Sequence, residues 1–192
     1  MKLTKERAAE NRQQILEAAA QLFRQRGFDD VGVAELMKSV GFTHGGFYNH
    51  FSSKEALVAE TCRLAIDRAN SALGESLASS TEPTIFLHDY LAQYVSPTHR
   101  DNPAHGCPLA ALAADAARQP AEVQTQFAVG IEALIEILST YLRTGSTSVR
   151  TRAIQLYSEL VGAVVLSRAI AAADPELSNE ILVAAQRSAT SA

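Results

Sequence analysis

Residues Val33–Lys54, VAELMKSVGFTHGGFYNHFSSK, decide the fold of this chain, because they read as two short helices joined by a tight turn. The first helix has apolar residues at i, i+3, i+4 and i+7, which gives it one face that can dock on a core. These residues are Val33, Leu36, Met37 and Val40. Gly41 follows, and glycine supplies the positive φ with which many helices end. The pattern predicts a helix-turn-helix.

The second helix of the pair is predicted to run from about His44 to His50. Thr43 precedes it, in the position where a hydroxyl can cap the free N–H groups of a helix start. Phe47 and Phe51 lie four residues apart, so both face the core and leave the intervening polar side chains toward solvent or a DNA groove.

A third helix is predicted to begin directly after this pair. Ser52 and Glu55 have the S-x-x-E spacing of a capping box. Lys54 then lies in the first helical turn, where a cation is unfavourable unless an anion such as a DNA phosphate is close by. Upstream, an apolar stripe at helical spacing ends at Gly27, with Asn11 or Thr4 as possible caps. That stripe comprises Ile15, Ala18, Ala19, Leu22 and Phe23.

The stretch from about Asn11 to Glu60 resembles the TetR family of bacterial transcriptional regulators. It carries ILEAAAQLFRQRGF, the helix-turn-helix and FYNHFSSKEAL at fixed spacing. The resemblance implies an all-α fold with a three-helix DNA-binding domain at residues 1–52. It also implies a helical effector-binding and dimerisation domain at residues 53–192.

Within the recognition segment, the resemblance and the residue chemistry predict two sets of DNA contacts. Phosphate contacts are assigned to Tyr48, His50 and Lys54, whose phenol, imidazole and ammonium groups can donate to phosphate oxygens. Base-edge contacts are assigned to Thr43, His44 and Asn49, since asparagine can bond adenine in two places. Gly45 and Gly46 would let the backbone approach the DNA closely. The alternatives for His50 and Lys54 are a histidine satisfied within the protein and a solvated surface lysine.

Composition limits the class of protein. The chain has 192 residues, of which 47% are hydrophobic, and a net charge of −4. Residues 1–54 carry eight Lys and Arg against six Asp and Glu, whereas the rest carries nine against fifteen. The net charge is therefore positive in the segment predicted to bind DNA and negative in the remainder. Since no uninterrupted apolar run reaches membrane-spanning length, we expect a cytoplasmic protein without a membrane partner. Two cysteines fit a reducing compartment.

Beyond Lys54 the sequence predicts helices throughout. Their approximate ranges are 53–78, 84–95, 108–118, 121–143, 148–173 and 176–188, and a loop covers SPTHRDNPAHG at 96–106. Gly145 and Pro175 separate the last helices. One face of the 148–173 helix is either an intramolecular core or a homodimer surface, and the resemblance favours the dimer. That face comprises Leu156, Leu160, Ala163, Val164, Ser167 and Ala171.

Two features of the C-terminal part are candidates for an effector site. Cys107 precedes Pro108 at a predicted helix start, where the helix dipole and His105 would favour its thiolate and hence reaction with an oxidant or electrophile. Its alternative is a residue that fills a small apolar gap. The stripe of Phe86, Tyr90 and Tyr94 either lines a ligand cavity or packs in the core. Cys62 is predicted to be buried and inert.

The function predicted from these observations is a homodimeric repressor that binds a double-stranded DNA operator and is released by a small-molecule or thiol-reactive effector. We expect no metal site, since His88, His99 and His105 lack the spacing of metal ligands. We also expect no cofactor and no enzymatic activity, because no orienting acid or oxyanion element is identifiable for Cys107. One alternative is an enzyme with Cys107 as nucleophile and His105 or His99 as base. Another is an architectural DNA-binding protein that has no effector.

Overall fold

The computed structural model describes residues 5–142 and 148–190, and the regular elements in these ranges are helices. The α-helices are α1 (Lys5–Arg26), α2 (Val33–Ser39), α3 (Lys54–Ser79), α4 (Pro83–Tyr94), α5 (Pro97–Asp101), α6 (Pro108–Ala116), α7 (Ala121–Tyr141), α8 (Val149–Ile170) and α9 (Pro175–Thr190). Two 3-10 helices cover His44–Asn49, here called the recognition helix, and Pro103–His105. The all-α prediction is confirmed.

The N-terminal helices form one compact unit around aromatic side chains. Phe23 and Phe28 meet edge to face with ring centroids 5.4 Å apart, and Phe47 stacks on Phe51 at 5.5 Å. All four rings are buried, so the prediction that Phe47 and Phe51 belong to the core is confirmed. The recognition helix is thereby held against α1 and α2 by its inner face.

The turn after α2 is a Schellman motif, as the glycine predicted. The Phe42 amide donates to the Met37 carbonyl at 2.8 Å, and the Gly41 amide donates to the Lys38 carbonyl at 3.1 Å. Gly41 has φ of 78°, which an L side chain rarely adopts. This geometry sets the direction in which the chain enters the recognition helix.

Two predicted caps are wrong. The cap of α3 is Ser53 and not Ser52, because the Ser53 hydroxyl accepts from the Ala56 amide at 3.1 Å. Asn11 lies inside α1 and caps nothing, since that helix already contains Lys5. Thr4, the other candidate, lies outside the described residues, as does Gly145. The predicted division of the chain at residues 52 and 53 stays a prediction.

A close approach between α3 and α7 organises the C-terminal part. Gly130 of α7 packs so tightly on α3 that an added Cβ would lie 2.1 Å from Cγ2 of Ile66. One turn further along α3, the buried Asn70 side chain donates to the Gly130 carbonyl at 2.9 Å. Absence of a side chain at position 130 therefore permits both the packing and the hydrogen bond.

The stripe assigned to the dimer interface on α8 is instead an intramolecular core face. Five of its six members are buried against the surrounding helices, namely Leu156, Leu160, Ala163, Val164 and Ser167. The helices packed on α8 include α6, α7 and α9. Periodicity alone could not separate the two readings, because a core face and an interface have the same spacing.

The opposite side of α8 is exposed and apolar. Ile154, Val165 and Leu166 are exposed there, and an added Cβ at Gly162 would meet no atom within 4 Å. Among the described helices, α8 alone is long and apolar enough to cross a membrane, and 39% of its apolar window is buried. A core helix of a folded domain meets the same criterion, so this is weak evidence for a membrane span.

The predicted loop at 96–106 is partly helical. Ser96 caps the short α5, since its hydroxyl accepts from the His99 amide at 3.2 Å. Arg100 fastens α5 to α9, with Nη1 donating to the Ser178 hydroxyl at 2.8 Å. Proline and histidine obscured this helix in the sequence, because local composition favoured a turn over five helical residues.

Candidate DNA-binding surface and effector cavity

The recognition helix presents a polar outer face. Tyr48 is 63% exposed, and the other exposed residues of the segment are Thr43, His44, Gly45 and Asn49. The His44 and Tyr48 rings meet edge to face with centroids 6.1 Å apart. The exposed surface of this segment therefore carries the hydrogen-bonding groups of the His44 and Tyr48 rings, together with the Thr43 hydroxyl and the Asn49 amide.

The segment forms a 3-10 helix where an α-helix was predicted. Thr43 occupies the N-cap position with an extended backbone, but its hydroxyl makes no capping bond, so the predicted hydroxyl cap is wrong. The Gly46 amide donates to the Thr43 carbonyl at 3.0 Å, which closes a tighter turn. Two adjacent glycines with low helix propensity favour this short form.

Neither glycine of the recognition helix is required by the fold. A Cβ added to Gly45 would meet nothing within 4 Å, and one added to Gly46 would make only ordinary contact with Thr43 at 3.5 Å. Neither residue has positive φ. Their presence is consequently unexplained by packing within the chain.

Arg12 of α1 holds the end of this segment. Its guanidinium pairs with Glu60, donates from Nε to the His50 carbonyl at 3.3 Å, and lies 4.5 Å from the centroid of the Phe51 ring. Burial, together with the charge of Arg12, lowers the pKa of His50. His50 is therefore neutral near pH 7 and can offer an N–H, while half-buried Lys54 begins α3 beside it.

A cavity of about 390 Å³ lies between α3, α4, α6, α7 and α8. It brings together the four residues predicted for the effector site, Cys107, Phe86, Tyr90 and Tyr94. The remaining wall includes Asn70, Leu73, His99, Leu109, Leu134 and Tyr157. The sequence left open whether the aromatic stripe lined a cavity or packed in the core. Its members do both, since Tyr94 is also 94% covered by other residues.

Hydrogen bonds hold Cys107 on two sides. Its amide donates to Nε2 of His99 at 2.9 Å, and its Sγ lies 3.3 Å from the Tyr157 hydroxyl. Nδ1 of His99 lies 2.6 Å from the Tyr94 carbonyl, which can only accept. His99 must therefore be the neutral tautomer with its proton on Nδ1, and burial lowers its pKa in agreement.

This geometry opposes the enzyme alternative. The acceptor nitrogen of His99 is already occupied by the Cys107 amide, so it cannot take a proton from the thiol. His105 is exposed, and its Nδ1 lies 3.0 Å from Oδ1 of Asn102. Neither histidine is arranged as a base for Cys107.

The tyrosines around Cys107 are un-ionised donors. Burial raises the pKa of Tyr90, Tyr94 and Tyr157, and the nearby Cys107 raises each of them further. The Tyr94 hydroxyl is buried and has no hydrogen-bond partner among the described residues. Burial likewise raises the pKa of the Cys62 thiol to about 12, which matches its predicted inertness.

The segment that carries Cys107 is bonded to two distant helices. Nε of Arg24 in α1 donates to the Ala104 carbonyl at 2.7 Å. On the other side, Nε of Arg168 in α8 donates to the Arg100 carbonyl at 2.9 Å, which secures α5 and with it His99. The end of α6 also touches α1, since an added Cβ at Gly27 would lie 2.6 Å from Oδ2 of Asp115.

Sequence reasoning missed Tyr157, Arg24 and Arg168 as members of this site, and it considered His99 only as a possible base for Cys107. His99, Tyr157, Arg24 and Arg168 come from three helices, α1, α5 and α8, and no local motif links them to Cys107. Only their packing brings them together. In the parts of the chain that the structure describes, no group of three His, Cys, Asp or Glu side chains is placed to hold a metal ion.

A helix-turn-helix with a polar outer face, followed by a helical core, is typical of a class of DNA-binding regulatory protein. Residues 15–61 match the family model of bacterial regulatory proteins, tetR family. This segment of the chain, which contains the helix-turn-helix, is therefore similar to that family.

Individual relatives agree with that assignment. An uncharacterised HTH-type transcriptional regulator of Bacillus subtilis, YdgC, is 48% identical over 56 residues, which are 29% of each chain. The transcriptional repressor KstR2 of Mycolicibacterium smegmatis is 31% identical over 98 residues, 50% of this chain and 48% of that one. The chain thus covers less than half the length of these curated relatives.

Likeness to a solved structure extends over nearly the whole chain. The reduced form of E. coli NemR is 25% identical, with a TM-score of 0.74, and the match covers 94% of this chain and 96% of that one. The fold of the C-terminal part is therefore shared, although its sequence diverges.

Proposed function

We propose that the protein is a homodimeric transcriptional repressor that binds a DNA operator and is released when an effector enters the cavity or modifies Cys107. The observation that carries this proposal is the bond between Arg24 of α1 and Ala104, three residues before Cys107. Through it, a change at the cavity reaches the helix that supports the recognition helix.

The proposed DNA contacts follow the exposure of the recognition segment. Tyr48, His50 and Lys54 bind phosphates and set register, whereas Thr43, His44 and Asn49 read base edges. Gly45 and Gly46 allow close backbone approach, which accounts for two glycines that the fold itself does not need.

The proposed dimer uses the exposed side of α7 and α8. Val129 on α7 and Ile154, Val165 and Leu166 on α8 are exposed apolar residues, and Arg150 joins the two helices by its pair with Glu132. A second copy would cover this surface and place two recognition helices about 34 Å apart, on successive major grooves. A DNA-binding dimer of this kind belongs in the cytoplasm.

A thiol-reactive effector is supported by the position of Cys107. It is partly accessible and lies in the cavity wall, while Cys62 is buried. The structural relative NemR was crystallised in a form described as reduced, which is consistent with redox chemistry in that protein. Modification of Cys107 would disturb its contacts with His99 and Tyr157, on which the local geometry depends.

The decisive experiment is fluorescence anisotropy with DNA from upstream of the gene and excess non-specific competitor, before and after mild thiol oxidation. We expect competitor-resistant binding that is lost on oxidation. The Cys107→Ser variant should bind equally well and ignore the oxidant, whereas the control Cys62→Ser should respond like the wild type.

Three outcomes would contradict parts of the proposal. Binding without sequence preference would favour an architectural protein. Oxidant sensitivity that persists in Cys107→Ser would remove the thiol from the mechanism. Turnover of a model electrophile that disappears in Cys107→Ser would favour an enzyme.

A further inference from the structure

The basic groups in the wall of the effector cavity are two histidines, His99 and the exposed His105. Among its lining residues within the described ranges, none is Lys, Arg, Asp or Glu. His99 is neutral because one nitrogen bonds a carbonyl and the other accepts from an amide. A charged group placed inside would therefore lose its hydration without gaining a counter-ion in the wall.

The polar part of the cavity is rich in hydrogen-bond donors. Hydroxyls of Tyr90, Tyr94 and Tyr157 lie close to the thiol of Cys107, and Tyr157 and Cys107 bond each other at 3.3 Å. Burial raises the pKa of all three phenols, so they keep their protons. An incoming oxygen with free lone pairs would complement this arrangement better than another donor.

Tyr94 is the residue with the clearest unmet requirement. It is only 6% exposed, and its hydroxyl makes no hydrogen bond of normal geometry in the parts of the chain that the structure describes, although Cys107 and Tyr157 lie near it. Buried polar atoms in folded proteins are nearly always bonded, so an unpartnered hydroxyl in a cavity wall indicates a missing group.

We propose that the cavity takes an uncharged, largely apolar molecule with a carbonyl or similar acceptor oxygen, to which the Tyr94 hydroxyl donates. This inference rests on the proposed effector site and names the chemistry that the site recognises. Apolar contacts with Phe86, Leu73 and Leu134 hold the body of the ligand, and recognition requires no reaction with Cys107.

Nearby arginines argue against a cationic ligand. Arg24 and Arg168 lie near enough to interact with Cys107, and both are partly buried. Their Nε atoms are bonded to backbone carbonyls, which keeps the guanidinium groups behind the wall. Their field disfavours a quaternary ammonium, and without direct contact it gives little compensation for the desolvation of an anion.

The test compares probes of matched shape by isothermal titration calorimetry on the full chain without DNA. Acetylnaphthalene and ethylnaphthalene, substituted at the same ring carbon, differ in the acceptor oxygen, and neither reacts with a thiol. We expect the ketone to bind wild type about tenfold more tightly than the hydrocarbon, the effect of one buried neutral hydrogen bond. Naphthoate and choline should bind more weakly than the ketone.

In Tyr94→Phe the ketone and the hydrocarbon should bind about equally. The melting temperature of this variant should stay the same or rise, because the removed hydroxyl has no partner in the free protein. If the melting temperature is unchanged or higher, loss of the preference for the ketone in Tyr94→Phe is not a result of misfolding. Tyr141→Phe, on α7 and outside the cavity wall, is the matched control and should keep the preference for the ketone.

Several outcomes would overturn the inference: equal affinity of wild type for both probes, binding of neither, tighter binding of naphthoate or choline, or an unchanged preference in Tyr94→Phe. Anisotropy on the same preparations separates this failure from failure of the proposed function. Operator binding that responds to thiol oxidation, without ketone preference, would overturn the ligand assignment alone.

Discussion

Gly45 lies on the exposed side of the recognition helix, where a methyl group would meet no atom of the chain within 4 Å. Because its φ is not positive, alanine can adopt the same conformation and lowers the entropy of the unfolded chain. We expect Gly45→Ala to stabilise the protein by about 0.4–1 kcal/mol. The same change should weaken operator binding, since the methyl group would separate the backbone from DNA.

Chemical denaturation and anisotropy on one preparation would measure both effects. Gly74→Ala is the control, because an added Cβ there makes only ordinary contact with Ile137 at 3.7 Å, far along α3 from the recognition helix. It should stabilise the protein without changing DNA affinity. Unchanged operator affinity in Gly45→Ala would mean that the backbone does not approach the DNA at this residue.

His99 gives the folded state a dependence on pH. Burial lowers the pKa of His99 below the ordinary histidine value of 6.5, so the unfolded chain binds a proton more readily than the folded one. The stabilisation is therefore present above about pH 6.5 and is lost as the pH falls through the lower, folded-state pKa. Protonation of Nε2 would also break its bond to the Cys107 amide.

Urea midpoints of unfolding, measured between about pH 7.5 and about pH 5, should fall less in His99→Gln than in wild type. His88→Gln serves as the control, since His88 is exposed on α4 and contacts neither Cys107 nor α5. Parallel curves for wild type and His99→Gln would show that another group governs the acid sensitivity.

At the scale of secondary-structure elements, the contact between the 3-10 helix Pro103–His105 and α1 is the proposed connection between the cavity and the DNA-binding helices. Arg24→Ala removes the donor to the Ala104 carbonyl while leaving the cavity lining intact. We expect the untreated variant to bind operator normally, because Arg24 faces the C-terminal part and not the recognition helix. The operator affinities of the reduced and the oxidised variant should differ by less than about threefold, whereas allosteric coupling typically changes an affinity by about 5–150-fold.

Anisotropy with and without oxidant would measure this difference. Arg63→Ala provides a matched loss of charge, since Arg63 is exposed on α3, where it pairs with Asp67 at 3.3 Å. Full oxidant response in Arg24→Ala would exclude the Ala104 contact as the route between the two sites.

Helix positions were predictable from sequence because apolar periodicity and glycine or proline boundaries report local structure. The 3-10 form of the recognition helix was not, since two glycines leave several helical geometries close in energy. The cap at Ser53 was missed because the S-x-x-E pattern selects Ser52, whereas the residue three positions after Ser53 is Ala56. Cys107 and the aromatic stripe were identified locally, whereas His99 and Tyr157 enter the site only through tertiary packing.

At the scale of the whole molecule, the exposed apolar side of α8 is part of the proposed dimer surface. Val165 is 41% exposed on that side, so Val165→Glu should not disturb the fold of a single chain but should prevent a second copy from packing there. Sedimentation velocity should give a dimer for wild type and a monomer for the variant. Operator affinity should fall at least about tenfold, because each half-site would be bound separately.

Ile85→Glu is the control for this change. Ile85 is 55% exposed on α4, away from the α7 and α8 surface, so its replacement should leave the dimer intact. A dimer that persists in Val165→Glu while Ile85→Glu dissociates would move the interface to another face of the molecule.

The helix α6 begins beside the cavity and ends against Gly27. The residues that lie near α1 are therefore different from those that form most of the cavity wall. Asp115 lies against Gly27, the residue after α1, and Ala104 accepts from Arg24 of α1, whereas Phe86, Tyr90 and Tyr94 belong to α4. Substitutions on α4 can therefore alter which molecule is recognised while the connection to the DNA-binding helices is inherited unchanged. Under the proposed function, a single substitution on α4 can change the inducer. The helix α4 is therefore the one to randomise when a biosensor is built from this scaffold.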